Sequence, residues 1–117
     1  MADYKQYIAQ VQENGNVMIS EDVVTTIVTH AIEEVEGVNA INTKSDLINK
    51  KNWNKGIKLV IADDNELTID CNVIIEYGHA VVEVAKNIQQ AVTNAVESMT
   101  GVKVVLVNVN VCGIARQ

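Results

Sequence analysis

The segment from Leu67 to Glu76 constrains the fold more than any other part of the chain. Its apolar positions are every second residue, namely Leu67, Ile69, Cys71, Val73 and Ile75. Polar residues occupy four of the positions between and after them: Thr68, Asp70, Asn72 and Glu76. Successive side chains of a strand point to opposite faces, so this pattern predicts a sheet with one covered face and one solvated face.

Two amphipathic helices are predicted, and they supply the cover that such a sheet needs. The first follows Ser20, a good N-cap, and its apolar stripe is Val23, Val24, Ile27, Val28, Ala31, Ile32 and Val35. The second runs from about Ala80 to Met99, with the stripe Val81, Val84, Ala85, Ile88, Val92, Ala95, Val96 and Met99. Gly37 and Gly101 follow these helices and are predicted to end them in the left-handed conformation.

Shorter extended segments complete the predicted sheet. Residues Val38–Ile41, the run around Ile57–Ile61 and the run Val102–Val111 all have strand composition. Two further runs flank Glu13-Asn14-Gly15, where Asn-Gly favours a type I′ hairpin; a short helix using Tyr4, Ile8 and Val11 is the alternative. The fold class predicted is α+β, with two helices on one face of an antiparallel or mixed sheet in two layers.

The chain of 117 residues has the length of one domain and contains no proline that would mark a linker. We therefore expect a single domain over residues 1–117, with residues 1–14 as an N-terminal strand or tail. No apolar run approaches the roughly 18–20 residues that a membrane-spanning helix requires, so any membrane association is expected to be peripheral or through a partner.

Positive charge is concentrated in one segment of an acidic chain. The net charge is −6, yet residues 44–58 contain five lysines and one acid, Asp46. This segment therefore carries about +4 and the remainder about −10. A solvated loop that balances an acidic body explains the pattern; the alternative is a partner or anion contact formed by Lys50, Lys51, Trp53 and Lys55.

No residue pattern indicates catalysis, a metal site or a cofactor site. His30 is expected to form a solvated pair with Glu34, and His79 is expected to cap the second helix locally. Cys71 and Cys112 lie in apolar runs without a C-x-x-C or Cys/His spacing, so buried free thiols are predicted. The six glycines are isolated and form no phosphate-binding motif.

Nucleic-acid binding is the main competing class of function. The predicted strands lack the stacking aromatic residues of RNA-binding sheets, and no G-x-x-G loop is present. Trp53 beside Lys50, Lys51 and Lys55 could stack a base, although a tryptophan that anchors a long loop to the core explains the same pattern. Nucleic acid is therefore an alternative partner rather than the expected one.

The order and spacing of several short motifs resemble the alkaline shock protein family, also called envelope stress response proteins, of Gram-positive bacteria. The matching segments are Gly15–Val23, Glu34–Val38, Tyr77–Gly78, Val81–Ala85, Ile88–Gln89, Glu97–Val102 and Val107–Val111. The chain is most similar to short, single-domain members, in which a basic Lys-Lys-x-aromatic segment precedes a strand; here this is Lys50–Ile57.

This resemblance implies a cytoplasmic, non-enzymatic protein of the envelope stress response that acts through protein contacts. Some members of the family are recruited to the membrane by a separate membrane-anchored protein, so such a partner is expected here. Other branches are associated with fatty-acid metabolism, which leaves a regulatory role in that pathway as an alternative. Pairing of the last predicted strand with a second copy of the chain is left open.

Overall fold

Residues 7–43 and 53–116 are described by a computed structural model of the chain. The elements in this part are β1 (Tyr7–Gln12), β2 (Gly15–Ser20), α1 (Glu21–Glu33), β3 (Val38–Ile41), β4 (Trp53–Asn54), β5 (Ile57–Ile61), β6 (Leu67–Glu76), α2 (Val81–Thr100) and β7 (Val104–Ala115). Strands β1 and β2 form a separate hairpin, and the other described strands form one sheet.

Strand β6 is the centre of the main sheet. One of its edges pairs antiparallel with β5 and, further along, with β3, while β4 extends the sheet beyond β5. The opposite edge pairs parallel with β7. The sheet is therefore mixed, and the α+β prediction with helices on one face is confirmed.

The alternation in β6 corresponds to the observed burial. Its odd-numbered side chains are fully buried against the helices, and the even-numbered ones are partly exposed on the other face. Helix α2 contributes four buried residues at helical spacing, Val84, Ile88, Val92 and Val96. Each such side chain stabilises the fold by about 1.5–3 kcal/mol through removal of apolar area from water.

The two helix ends differ from each other, although both were predicted to be glycine caps. Gly101 is the left-handed cap of α2 with φ of 76°, as expected. Helix α1 instead ends at Glu33, and the prediction that Gly37 caps it is wrong. Gly37 has φ of 98° and lies where an added Cβ would be 2.8 Å from Val84 Cγ2, so its function is to let α2 approach the segment after α1.

The start of α1 and the hairpin before it are as predicted, except for the turn type. Ser20 Oγ accepts a hydrogen bond from Val23 N–H at 3.4 Å, which confirms the N-cap. The hairpin turn consists of Glu13 and Asn14, while Gly15 already pairs with Gln12 as the first residue of β2. Lys55 and Asn65 are the non-glycine residues with positive φ in the described ranges, so Asn14 does not adopt the type I′ conformation.

Four further predictions fail at the ends of elements. Val23 and Met99, assigned to buried stripes, are exposed, Met99 by 70%, and Val81 is also exposed. They lie in terminal turns, where periodicity cannot show whether a neighbour covers the helix. Strand β7 runs from Val104 to Ala115 rather than from Val102 to Val111, because its pairing with β6 continues to Glu76.

Candidate functional site

The predicted contact residues fall partly within the described chain. Lys50 and Lys51 lie outside the described residues. Trp53 and Lys55 belong to the short hairpin formed by β4 and β5, in which Trp53 pairs with Lys58. Trp53 is half-buried and Lys55 is exposed, so the hairpin presents a lysine next to an aromatic residue that is partly covered.

The turn of this hairpin has an unusual sequence. Lys55 and Gly56 form the two-residue connection, with φ of 57° and 83°, which matches a type I′ turn. Asn, Asp or Gly is preferred at the first position, because a lysine there costs roughly 1–2 kcal/mol in the left-handed region. A strained residue held in place by its surroundings points to a functional position.

The residues that fix this turn in position belong to the end of β3 and the segment after it. A Cβ added to Gly56 would lie 2.6 Å from the backbone oxygen of Asn42 and 2.7 Å from Ile41 Cγ2. The turn is therefore packed closely against the chain that follows β3, and glycine is required there for space as well as for conformation.

Lys55 borders a groove between α1 and β3, which we call the threonine groove. It consists of two adjoining hollows of about 330 Å³ and about 520 Å³, both lined by Thr29 and Lys55. The smaller hollow also contacts Glu33 and the chain of β3. The larger one is lined in addition by Asp22, Thr25, Thr26 and His30.

The hydroxyl groups in this groove are not equivalent. Thr26 Oγ1 donates to the Asp22 carbonyl oxygen at 2.9 Å, so it is engaged within α1. Thr25 is only 5% exposed and contributes to the lining of the larger hollow.

The charges around the groove are mixed. Lys55 is the cation, Asp22 and Glu33 supply carboxylates toward either end, and His30 lines the larger hollow. The predicted ion pair of His30 with Glu34 is wrong: within residues 7–43 and 53–116 the imidazole has no ion pair or hydrogen bond. The groove therefore carries one lysine, two carboxylates and hydrogen-bonding side chains.

Elsewhere, the residues that could support catalysis are separated. His79 Nε2 lies 3.6 Å from Glu76 Oε1, an i,i+3 pair. The prediction that His79 caps the second helix is wrong, because the N-cap of α2 is Ala80 and no side-chain hydrogen bond from the described residues caps the start of this helix. The thiol of Cys71 is buried and donates weakly to the Asn108 carbonyl oxygen at 3.6 Å. Burial, with a smaller contribution from Asp70, raises its pKa to about 12, so the thiolate is scarce at neutral pH. Cys112, which was predicted to be buried, is exposed.

Metal-binding clusters and membrane-spanning helices are both absent from the described ranges. No group of three or more His, Cys, Asp or Glu residues there is arranged to hold a metal ion. None of the helices there has the length and apolar character that crossing a membrane requires.

The sequence did not indicate the threonine groove. No sequence prediction concerned the three threonines Thr25, Thr26 and Thr29. Their spacing does place two of them, Thr25 and Thr29, one turn apart on a single face. The sequence could not show that Lys55, which is distant from these threonines in the chain, borders the same face.

Comparison with protein families gives a match over most of the chain. The model of the alkaline shock protein 23 family, described as having a cell envelope-related function, matches residues 9–116. An uncharacterized protein of Streptococcus pyogenes serotype M6, Spy1535, is 36% identical over 105 residues, covering 88% of this chain and 81% of its own. The uncharacterized protein YqhY of Bacillus subtilis is 30% identical over 105 residues, covering 86% and 77% respectively.

Solved structures give a more distant likeness. The structure of a doubly substituted variant of MamM CTD aligns over 82% of this chain and 95% of its own, with a TM-score of 0.49 and 18% identity. A likeness at this level supports no conclusion about function.

Proposed function

Because this chain belongs to the alkaline shock protein 23 family, whose described role is cell envelope-related, we propose that it is a non-enzymatic cytoplasmic adaptor that binds a protein partner. The contact surface is the threonine groove together with the hairpin residues Trp53 and Lys55. The observation that carries this proposal is the strained Lys55 at the border of a groove that Thr25 and Thr29 line.

The chemistry of this surface indicates what the partner presents. A lysine side chain at the border of a groove lined by threonines suits a carboxylate or a backbone carbonyl of an extended segment. The segment of residues 44–58, at about +4, lies in a chain of net charge −6, so an acidic segment would approach it along a favourable field. A membrane-anchored protein with an acidic cytoplasmic segment fits this description.

The test compares variants of the full chain as bait in native lysate from the host, separated into soluble and detergent-solubilised membrane fractions. Combining Trp53→Ala with Lys55→Glu should remove the specific partner, because it deletes the aromatic contact and reverses the charge. Lys50→Glu, added as a third change, should have a smaller effect of the same sign.

The matched control is Lys86→Glu, which makes the same charge reversal at an exposed position of α2. Partner recovery should be unchanged by this variant. If the control and the hairpin variant lose the partner equally, general electrostatics explains binding. If neither loses it, the hairpin is not the contact surface.

Lys55 and the threonine hydroxyls of the groove would also bind a phosphate group. Nucleic acid is therefore a second candidate for the partner. Binding of labelled single-stranded RNA through phosphates should weaken steeply as salt is raised, because counterions are released on binding. No binding at low salt would eliminate this candidate, whereas salt-sensitive binding abolished by Lys55→Glu would favour it over the protein partner.

A further inference from the structure

Strand β7 forms one edge of the sheet, and its outer side carries backbone groups that need partners. Among the described strands, β6 is its neighbour on one side, and none pairs on the other. Its twelve residues, Val104–Ala115, include no charged side chain and no proline. These are the features that natural edge strands use to prevent pairing with another chain, so their absence invites such pairing.

The direction of each backbone group follows from the pairing with β6. Leu67 N–H donates to the Lys103 carbonyl oxygen at 2.9 Å, and Tyr77 N–H donates to the Ala115 carbonyl oxygen at 2.8 Å. The odd-numbered residues of β6 therefore bond toward β7. In a parallel ladder, the residue in register with a bonding residue directs its own N–H and C=O to the opposite side.

The register then identifies the outward residues of β7. Val104, Val107, Val109, Val111 and Ile114 are each in register with an odd-numbered residue of β6. Arg116, the residue after β7, lies in register with Tyr77, so its backbone groups also point outward.

Side chains of α2 already satisfy the first part of this edge. Glu97 Oε2 accepts from Val104 N–H at 3.0 Å, and Gln89 Nε2 donates to the Val107 carbonyl oxygen at 3.0 Å. Both bonds agree with the outward direction derived from the register. Within the described residues, the outward groups of Val109, Val111, Ile114 and Arg116 have no such partner.

We propose that this open part of β7 pairs antiparallel with the same part of a second copy of the chain. Its outward residues are separated by two, three and two positions, because a bulge falls between Val111 and Gly113. This spacing is the same in both directions. The same part of a second copy can therefore form backbone hydrogen bonds with all four outward residues. A regular strand has bonding groups at every second residue, so it could bond to only two of the four.

The pairing is two-fold symmetric, with its axis at Cys112 and Gly113. Val111 of one copy faces Ile114 of the other, and Val109 faces Arg116. An added Cβ on Gly113 would meet nothing within 4 Å, so the backbone at the axis is uncovered. The two sheets would become one continuous sheet.

The side chains near this seam are compatible with a second copy. Each molecule has a net charge of −6, but Arg116 is the one charged residue among the four that pair, and it faces Val109, so no like charges meet directly. Ile114 is 45% exposed. Val82 is 67% exposed and lies seven residues before Gln89, hence on the same face of α2, which reaches over this edge.

Sedimentation velocity of the full chain over a wide concentration range tests the proposal. The natural chain should form a dimer, and Val111→Pro should weaken it at least about tenfold, because symmetry removes two outward N–H donors at once while the bonds to β6 remain. Leu106→Ala is the control: it removes an exposed apolar side chain of β7 outside the seam and should leave the dimer unchanged.

A spin label supplies the geometry of the dimer. Cys112 is exposed and Cys71 is buried, so a nitroxide reagent labels the position at the axis, and dimerisation should broaden the spectrum through dipolar coupling. A label moved to α2 with Ser98→Cys and Cys112→Ser should show no such broadening, because that position lies far from the axis.

A natural chain that stays monomeric at every concentration would overturn the proposal. A dimer that Val111→Pro leaves intact, or one without broadening at Cys112, would overturn it too. Should circular dichroism show that Val111→Pro is unfolded, Ile114→Glu decides: it places a carboxylate on each side of the seam, and an unweakened dimer would refute the pairing.

Discussion

Replacing Gly56 with alanine should destabilise the protein more than the same change at any open glycine. Two separate costs add at this position. The φ of 83° disfavours any side chain by roughly 1–2 kcal/mol. The new Cβ would also lie 2.6 Å from the Asn42 carbonyl oxygen, a backbone atom that cannot rotate away, which adds about 1–3 kcal/mol as in other overpacked sites.

Gly78 separates these two costs. Its φ is 102°, yet a Cβ there would meet nothing within 4 Å. Gly78→Ala should therefore cost only the conformational part, roughly 1–2 kcal/mol. Urea unfolding of both variants and the natural chain gives the free energies, and the difference between the variants should be about 1–3 kcal/mol.

Equal losses in the two variants would refute the reasoning, because they would show that the close approach of Asn42 to the Lys55–Gly56 turn does not constrain the chain. In that case, packing of the turn against Asn42 would not be what fixes the position of Lys55 at the threonine groove. Unequal losses, with Gly56→Ala the larger, would also justify using this variant to displace Lys55 without altering its charge.

Two other outcomes test the core and its ionisation. Ile88→Ala should cost about 2–5 kcal/mol by leaving a cavity under α2, while Met99→Ala, on the same helix but exposed, should change stability by no more than about 0.5 kcal/mol in the same urea assay. Burial raises the pKa of Cys71 from 9.0 to about 12, so the folded chain holds this proton more tightly than the unfolded chain, and stability should fall as pH rises through that window. Cys71→Ala should remove this part of the slope in unfolding curves recorded at successive pH values, and an unaltered slope would contradict it.

The elements that the sequence predicted well are those that depend on one local pattern. Alternation in Leu67–Glu76 and the helical stripe of α2 depend only on which face is buried, and each is long enough to be unambiguous. Ser20 and Gly101 could be recognised for the same reason, because a cap is decided by neighbours within a few residues.

The features that could not be predicted depend on residues that are distant in sequence. The parallel pairing of β7 with β6 gives β7 its length and its two register shifts, and nothing within residues 104–115 encodes the strand beside which they lie. Lys55 was selected for its charge, but its left-handed conformation follows from the pairing of Trp53 with Lys58 and from contact with Asn42. The threonine groove exists only once those pairings are made.

The position of β6 has a consequence for how the chain is made. One whole edge of this central strand is satisfied by β7, which leaves the ribosome only after α2 has been synthesised. Until then, the nascent protein carries an apolar strand with an unfilled side, the situation in which a growing chain is most prone to mispairing. Native structure can therefore close only after β7 has been synthesised, and a chaperone that shields β6 during this interval would raise the yield of folded protein.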